Sequence, residues 1–250
     1  MERRQGTSRP KKKFFPRGGG FHEKRAPVRL HLPPNTISLA GSDIATENLV
    51  LDQKVYDEDF VKRDGKQYRK WNPKKSKLCA AILKGMKIEL KEDFLVLYLG
   101  VSSGTTASHV SDICKDGMIF GVDPAPRVFR DFYLLSKTRE NLSPIFSGAE
   151  HISEYSPLVP KVDFVYQDVA QRDQPEIFLK NCRAFLKEGG RGLLMVKARS
   201  IDVKKTPQAV FSEVKGKLES SGMRVIEERR LEPFERDHVA LYCEFSSKGK

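Results

Sequence analysis

Near its middle the chain reads Phe94-Leu-Val-Leu-Tyr-Leu99 and then Gly100-Val-Ser-Ser-Gly104-Thr-Thr106, and the predicted fold is built around these residues. Six largely apolar residues in succession predict a strand that is buried on both faces of a parallel sheet. The two glycines that follow allow a tight turn and a close approach of the backbone to a ligand. Thr105 and Thr106 begin a predicted helix that continues to Ile113. Together these features predict the cofactor-binding end of a doubly wound α/β sheet.

The kind of cofactor is indicated by the residues after the turn. The spacing G-x-x-x-G is neither the dinucleotide fingerprint nor a P-loop, so it is a weak signal on its own. The next predicted strand, Met118-Ile-Phe-Gly-Val122, ends in Asp123, about twenty residues past the turn. An acidic residue at that place commonly holds the ribose hydroxyls of a nucleoside. We therefore favour a nucleoside cofactor, with a purely structural βαβ unit as the alternative.

The composition indicates a polyanionic partner. The chain has 250 residues, of which 45 are basic and 33 acidic, and its formal net charge is +12. Nucleic acid is favoured over a membrane surface because no apolar run approaches ~18 residues. The N-terminus has no hydrophobic signal segment, so we expect an intracellular protein. The four cysteines are far apart without any C-x-x-C pair, which predicts reduced core residues and not a zinc site or disulfides.

Three regions are predicted along the chain. Residues 1–25 are rich in Lys, Arg and Gly and predict a disordered basic tail, either a solvated segment or an arm for nucleic-acid binding or nuclear targeting. Residues 26–67 predict a small antiparallel subdomain of hairpins. Residues 68–250 alternate between strands and helices and predict the α/β domain. The strands predicted in the hairpin region are Val28–Leu32, Thr36–Leu39, Asn48–Leu51 and Val55–Tyr56.

The elements predicted for the rest of the chain follow from periodicity and turn residues. A helix capped by Ser76 or Asn72 is expected to end near Gly85. The other predicted helices are Val128–Leu135, one around Phe178 to Leu186 that ends at Gly189-Gly190, and one around Val210 to Leu218. The predicted strands are Pro144–Phe146, Val162–Tyr166, Gly192–Val196 and the antiparallel pair Met223–Ile226 and Val239–Cys243.

The segment Tyr68–Lys77 is dense in basic and aromatic residues. It has four Lys and one Arg in ten positions, together with the only Trp of the chain. Basic residues at the start of a helix oppose its dipole, so they do not stabilise the helix. We therefore favour contact with a nucleic-acid phosphate backbone over a solvated basic loop. The residues predicted to make this contact are Arg69, Lys74, Lys75 and Lys77.

Three polar residues are predicted at strand ends beside the glycine turn. Asp168 follows one buried strand, Lys197 follows the next, and His238 precedes the last. A buried lysine charge is costly unless it is paired, and Asp168 is the natural partner of Lys197. Such a pair beside a cofactor can position and deprotonate a substrate hydroxyl. A structural ion pair is the alternative.

The chain resembles the fibrillarin family of RNA 2′-O-methyltransferases over about residues 28–245. The resemblance rests on five stretches, which are Tyr68-Arg-Lys-Trp-Asn-Pro-Lys-Lys-Ser-Lys-Leu78, Val96-Leu-Tyr-Leu-Gly-Val-Ser-Ser-Gly-Thr-Thr106 with Ser108-His-Val-Ser-Asp112, Asp168-Val-Ala-Gln171 with Asp173-Gln174, Val196-Lys-Ala198, and Leu231-Glu-Pro-Phe-Glu-Arg-Asp-His238. It implies a Rossmann-like methyltransferase domain that uses S-adenosyl-L-methionine, preceded by a small antiparallel β subdomain.

The resemblance also implies which residues bind and react. Its catalytic set falls on Lys77, Asp168, Lys197 and His238. Lys197, held by Asp168, would lower the pKa of a ribose 2′-hydroxyl or accept its proton, while Lys77 and His238 would orient the nucleotide. No metal is required. The implied cofactor-binding residues are Tyr98, Gly100, Ser103, Gly104, Thr105, Thr106, Asp123, Pro124, Gly148, Ala149, Asp168 and Gln171.

Two positions depart from the family pattern. Asp123-Pro124 stands where the family usually has Glu-Phe, so an aromatic face for adenine is missing. Gly148 stands where the family usually has an Asp near the adenine amino group, although backbone amides around Ala149 remain. We expect weaker binding of S-adenosylmethionine as a result, without its loss.

The family also implies a setting for the enzyme. The expected partners are a guide RNA, ribosomal RNA, a Nop-family scaffold protein and a kink-turn-binding protein, in a box C/D guide ribonucleoprotein. The Arg17-Gly-Gly-Gly20 segment resembles a shortened eukaryotic arm and favours a nucleolar protein, with an archaeal cytoplasmic protein as the alternative. A catalytically weak structural subunit of the same particle is the competing function. A nicotinamide dehydrogenase is disfavoured by the glycine spacing.

Overall fold

The computed structural model describes residues 30–245, and the predicted basic tail lies outside these residues. A short 3-10 helix spans Ala40–Ser42. In chain order the strands are β1 (Thr36–Ser38), β2 (Ile44–Glu47), β3 (Phe60–Arg63), β4 (Lys66–Trp71), β5 (Leu95–Leu99), β6 (Met118–Val122), β7 (Leu142–Ile145), β8 (Val162–Gln167), β9 (Leu186–Lys197), β10 (Met223–Arg230) and β11 (His238–Phe245). The α-helices are α1 (Lys77–Leu83), α2 (Thr105–Ile113), α3 (Pro126–Ser136), α4 (Ile152–Tyr155), α5 (Gln174–Phe185), α6 (Ala198–Ile201) and α7 (Pro207–Ser220).

The strand on which the prediction of the fold is built, β5, lies in the interior of the larger sheet. The strand order is β10-β11-β9-β8-β5-β6-β7, and β5 pairs in parallel with both β6 and β8. Val96 and Tyr98 enter one hydrophobic cluster, whereas Leu97 and Leu99 enter the other on the opposite face. Because both faces are buried, the strand is a continuous apolar run. The predicted antiparallel pair of β10 and β11 closes one edge of the sheet.

The smaller sheet differs in detail from the predicted hairpins. Its antiparallel order is β1-β2-β4-β3, and it continues to Trp71, past the boundary predicted at residue 67. The strand predicted at Thr36–Leu39 corresponds to β1. The strand predicted at Asn48–Leu51 is wrong, because these residues form a turn in which the Leu51 side chain is 68% exposed. Val55–Tyr56 is also not a strand, nor is the described part of Val28–Leu32.

A buried polar network attaches the smaller sheet to the helix that follows the glycine turn. Arg69 of β4 donates to Glu58 at 2.8 Å and to Asp112 of α2 at 2.9 Å, and all three side chains are fully buried. Arg139 donates to the other carboxylate oxygen of Asp112 at 2.6 Å. Buried charges persist only when they are paired and hydrogen-bonded, which is satisfied here. The network fixes the position of β4, and β4 leads directly into α1.

Three further features bear on the predictions. Gly189 and Gly190, predicted to end a helix, lie inside β9, where the pairing with β8 passes from Leu186 to Arg191 across a register shift. All four cysteines are buried with free thiols. Among residues 30–245, none of the helices combines the length and the apolar character that crossing a membrane requires.

Candidate active site

A cleft of about 360 Å³ lies at the carboxyl ends of the parallel strands. In an open α/β sheet this is the edge at which ligands bind. The cleft is lined by the four residues of the predicted catalytic set, Lys77, Asp168, Lys197 and His238. They come from the first residue of α1, the end of β8, the end of β9 and the first residue of β11. The fold therefore brings together four side chains that are distant in sequence.

The closest contact in the cleft is an ion pair between Lys77 and Asp168. The Lys77 Nζ lies 2.7 Å from Asp168 Oδ1 and 2.8 Å from Oδ2, and each side chain is about one-fifth exposed. The hydroxyl of Ser76 accepts from the N–H of Cys79 and so caps α1, which presents Lys77 over the end of β8. Partial burial makes this pair stronger than one on the open surface.

The predicted pairing of Asp168 with Lys197 is wrong. Both oxygens of Asp168 are engaged by Lys77, and the exposed Lys197 ammonium has no partner among residues 30–245. The backbone N–H of Lys197 donates to the side-chain oxygen of the buried Gln174 at 3.1 Å. The end of β9 is thus fixed while the ammonium stays available on the wall of the cleft.

His238 is held in a defined orientation beside Lys197. The two residues are register partners in the antiparallel pairing of β11 with β9. The His238 Nδ1 lies 2.6 Å from the carbonyl oxygen of Arg236, and its side chain is almost fully buried. A carbonyl oxygen can only accept, so Nδ1 carries a proton. In the neutral ring this leaves Nε2 as an acceptor for a ligand hydroxyl.

Two buried tyrosines lie near Asp168, and one of them lines the cleft. Tyr98 lines the cleft, and its ring centroid lies 4.5 Å from that of Tyr166. Burial, reinforced by the Asp168 carboxylate, raises the pKa of Tyr98 far above its ordinary value. Burial likewise raises the pKa of Tyr166. Both hydroxyls stay protonated at physiological pH and can act as hydrogen-bond donors.

The glycine turn allows the backbone of one strand end to approach that of another. Gly100 has a φ of +80°, and a Cβ at this position would lie 2.5 Å from the backbone oxygen of Asp168. A side chain there is excluded both by the left-handed backbone and by this contact. Ser103, Thr105 and Thr106 line the cleft at the N-terminus of α2, an end that favours negative ligand groups. Gly104, also predicted to bind the cofactor, does not line it.

The cleft continues into a second part of about 260 Å³. Gly100, Asp168 and Val169 line both parts. The wall of the second part includes the predicted residues Asp123, Pro124, Ala149 and Gln171, but not Gly148. The Asp123 carboxylate accepts from the backbone N–H groups of Ser102 at 2.8 Å and Ala125 at 2.9 Å, which points it along the end of β6.

The predicted phosphate-contacting residues separate into two kinds. Arg69 is fully buried in the network with Glu58 and Asp112, so its prediction as an RNA contact is wrong. Lys74 is exposed, and its ammonium has no partner in the described part of the chain. Lys75 is exposed beside the cleft and pairs with Asp57. Lys75 and Lys77 line the cleft, and Lys74 directly precedes Lys75 in the chain; we call these three lysines the positive rim.

Three polar lining residues are absent from the sets predicted from the sequence. They are Ser102 in the glycine turn, Glu150 at the far wall and Glu235 near His238. Glu235 lies within a stretch that resembles the family, two residues before the polar pair Asp237-His238. This position in the sequence could have identified it as a residue of the site. No local pattern singles out Glu150.

The fibrillarin family model matches residues 36–247. The chain belongs to the fibrillarin family. A relative from Thermococcus gammatolerans, a fibrillarin-like rRNA/tRNA 2′-O-methyltransferase, is 51% identical over 218 residues, which are 85% of this chain and 96% of the relative. The predicted family is thereby confirmed, and the named relative is archaeal.

Two solved fibrillarin structures have the same fold. Aeropyrum pernix fibrillarin, in complex with natively bound S-adenosyl-L-methionine, superposes with a TM-score of 0.75 at 41% identity and covers 86% of this chain and 99% of its own. A fibrillarin/Nop5p complex superposes with a TM-score of 0.79 at 38% identity and covers 85% and 98%. The predicted fold class, a methyltransferase sheet with a small antiparallel β sheet before it, is confirmed.

Proposed function

We propose that this fibrillarin-family chain transfers a methyl group from S-adenosyl-L-methionine to a ribose 2′-hydroxyl of RNA. The observation that carries the proposal is one continuous cleft with two ends. One end has the Lys77–Asp168 pair with Lys197 and His238, and the other has the strand-end acid Asp123 beside an apolar wall. The nucleoside of a methyl donor fits the end with Asp123, and its reactive group then lies at the end with Lys77, Asp168, Lys197 and His238.

The residues of the cleft fit S-adenosylmethionine in chemical type. Asp123 is placed to hold the ribose hydroxyls, and the N-terminus of α2 with Thr105 and Thr106 suits the carboxylate of the methionine part. Gly100 lines both parts of the cleft, and its lack of a Cβ lets the end of β5 approach the Asp168 backbone. When bound, S-adenosylmethionine supplies a methyl group on a positively charged sulfur. The bound cofactor in the Aeropyrum pernix structure supports this assignment.

The polar residues of the first end then handle the acceptor hydroxyl. Lys197, whose ammonium has no other partner in the described chain, lowers the pKa of the 2′-hydroxyl or, when neutral, accepts its proton. The Lys77–Asp168 pair fixes the geometry between the two ends of the cleft. The Nε2 atom of His238 accepts a hydrogen bond from the sugar and orients it.

The substrate and partners follow from the family. We assign ribosomal RNA as the substrate, selected by base pairing with a guide RNA, and a particle that also contains a kink-turn-binding protein. The fibrillarin/Nop5p complex supports a Nop-family scaffold as the direct protein partner. The positive rim of Lys74, Lys75 and Lys77 is the proposed RNA contact.

The cellular location is a separate proposal. The tail that favoured a nucleolar protein lies outside the described residues, and the relative at 51% identity is archaeal, which fits the alternative of an archaeal origin. Fluorescence microscopy of the tagged full chain in its own cells tests the nucleolar location, and a signal outside nucleoli contradicts it.

The function is tested with the full chain assembled with a guide RNA, a Nop-family scaffold and a kink-turn-binding protein. Labelled methyl transfer is measured to a guided target RNA and to the same RNA with 2′-deoxyribose at the target position. We expect transfer to the first RNA alone. Equal labelling of both RNAs contradicts 2′-O-methylation, and labelling of neither supports the structural-subunit alternative, which the missing aromatic at Pro124 favours.

A further inference from the structure

The far wall of the second part of the cleft has a carboxylate in an unexpected position. Gly148 has no side chain, and a Cβ built on it would lie 2.9 Å from the Glu150 carboxyl carbon and 2.9 Å and 3.0 Å from its two oxygens. Glu150 therefore folds back, so that its carboxylate lies where the side chain of a larger residue 148 would begin. The Glu150 carboxylate thus lies in the space that a side chain at position 148 would need.

The Glu150 carboxylate is directed and supported by its surroundings. It lines the cleft together with Ala149 and Gln171, and the Gln171 side-chain amide donates to it at 3.2 Å. The backbone beside it is held firmly, because the Ala149 carbonyl accepts from the Tyr155 hydroxyl and from the Asn181 amide, both at 2.9 Å. An acid that is oriented in this way can select a hydrogen-bond donor on a ligand.

The position of Glu150 relative to Asp123 indicates which part of a nucleoside it meets. Asp123 lies at the end of β6, where a ribose is held, and each of its oxygens already accepts a backbone N–H. Glu150 follows β7, the strand that neighbours β6 at the edge of the sheet, and it lines this part of the cleft with Pro124 and Ala149, where an apolar ring plane can pack. A carboxylate there accepts hydrogen bonds only, so it favours a base edge with an amino group.

We propose that Glu150 accepts a hydrogen bond from the amino group of the cofactor's adenine and so sets the base specificity of this site. The inference rests on the proposed function, since it takes a nucleoside methyl donor as the ligand. Gln171 acts as a positioning residue that orients the Glu150 carboxylate.

The test is the affinity of the full chain for two ligands that differ at one base position. Isothermal titration calorimetry is performed with S-adenosylhomocysteine and with S-inosylhomocysteine, in which a carbonyl oxygen replaces the amino group. We expect wild type to prefer the adenosyl compound by about tenfold or more, as for one hydrogen bond to a charged acceptor. Glu150→Ala should lower that preference to about one, mainly by weakening the adenosyl compound.

A second pair of variants makes the test specific. Gly148→Asp alone places a side chain against the Glu150 carboxylate and should weaken binding of both ligands. Combined with Glu150→Ala, the same substitution no longer meets its three nearest contacts, which are all Glu150 side-chain atoms, and it should restore the preference for the adenosyl compound. The control is Glu140→Ala, which removes an exposed carboxylate that does not line the cleft and should leave both affinities unchanged.

The outcomes separate this inference from the function on which it rests. If wild type binds S-adenosylhomocysteine and Glu150→Ala retains the full preference for it, the role of Glu150 is overturned while the methyltransferase function stands. If wild type binds neither ligand at millimolar concentration, the cofactor assignment itself is overturned.

Discussion

Among the residues of the cleft, Lys77 and Asp168 make the closest side-chain contact. From the sequence, Asp168, Lys197 and His238 could be placed at strand ends because the buried strands before them are clear apolar runs. The partner of Asp168 could not be predicted, because Lys77 lies 91 residues earlier in the chain, on a different element. The sequence spacing gives no signal for such a pair, which depends on the orientation of α1 over the sheet.

Gly100 is the residue at which the glycine turn approaches the end of β8. The substitution Gly100→Ala imposes both a left-handed backbone and a Cβ at 2.5 Å from the Asp168 backbone oxygen. We expect a loss of about 3 kcal/mol in the free energy of unfolding together with loss of S-adenosylhomocysteine binding, because the end of β8 must move. Urea denaturation and calorimetry measure the two effects.

The matched control for this substitution is Gly65→Ala. Gly65 has a φ of +76° and nothing lies within 4 Å of a Cβ built on it, so only the backbone cost of about 1 kcal/mol is expected, with normal ligand binding. If the two variants behave alike, the contact of Gly100 with Asp168 does not limit the site.

At the level of helices and strands, the smaller sheet was the least predictable part. In β4, Gln67 and Arg69 are buried, so the strand lacks the alternation of apolar and polar residues from which strands are recognised. In the sequence, Arg69 stands among lysines, and this pattern predicts an RNA-binding surface instead of a buried ion pair. The elements of the larger sheet were predicted well because their core positions are filled by apolar residues.

The two roles of basic residues near β4 can be separated by mutation. Arg69→Met leaves the carboxylates of Glu58 and Asp112 short of a buried partner, so we expect it to lower the free energy of unfolding by about 3–5 kcal/mol. Lys74→Met should change stability by no more than ~0.5 kcal/mol but weaken RNA binding and lower its salt dependence by about one charge. Urea denaturation and RNA titrations at several salt concentrations test both. A Lys74 variant with wild-type RNA affinity contradicts the proposed rim.

The joint between the smaller sheet and α2 also predicts a pH dependence of stability. His109 is fully buried between the hydroxyls of Thr46 and Tyr56, and burial, together with Arg69 and Arg139, lowers its pKa well below 6.5. The unfolded chain therefore binds a proton below about pH 6.5 that the folded chain does not bind. Stability should fall as the pH drops below this value, by up to ~1.4 kcal/mol per pH unit from this group.

Thermal and urea unfolding of wild type and His109→Gln between pH 7.5 and pH 5 measure this contribution as a difference in slope. The exposed His151 serves as the control, and His151→Gln should keep the wild-type slope. The same pH slope for His109→Gln and wild type would show that the buried ring does not control the acid sensitivity.

For the molecule as a whole, the cleft lies where the smaller sheet joins the larger one. The chain passes from β4 through the capped start of α1, and this passage brings Lys77 to the ends of β8 and β9. The parallel part of the larger sheet is expected from the alternation of strands and helices, which made the fold class predictable. The boundary between the two sheets was not predictable, because β4 and α1 form one basic segment in the sequence.

Lys197 is the residue proposed to activate a ribose hydroxyl at this cleft, and single-turnover methyl transfer by the assembled particle measures this role. Wild type is compared with Lys197→Ala and with Lys180→Ala, which removes an exposed lysine outside the cleft. We expect Lys197→Ala to slow transfer by about 10²-fold or more while its affinity for S-adenosylhomocysteine stays unchanged, and Lys180→Ala to match wild type. Methyl transfer by Lys197→Ala at the wild-type rate would contradict the role proposed for Lys197.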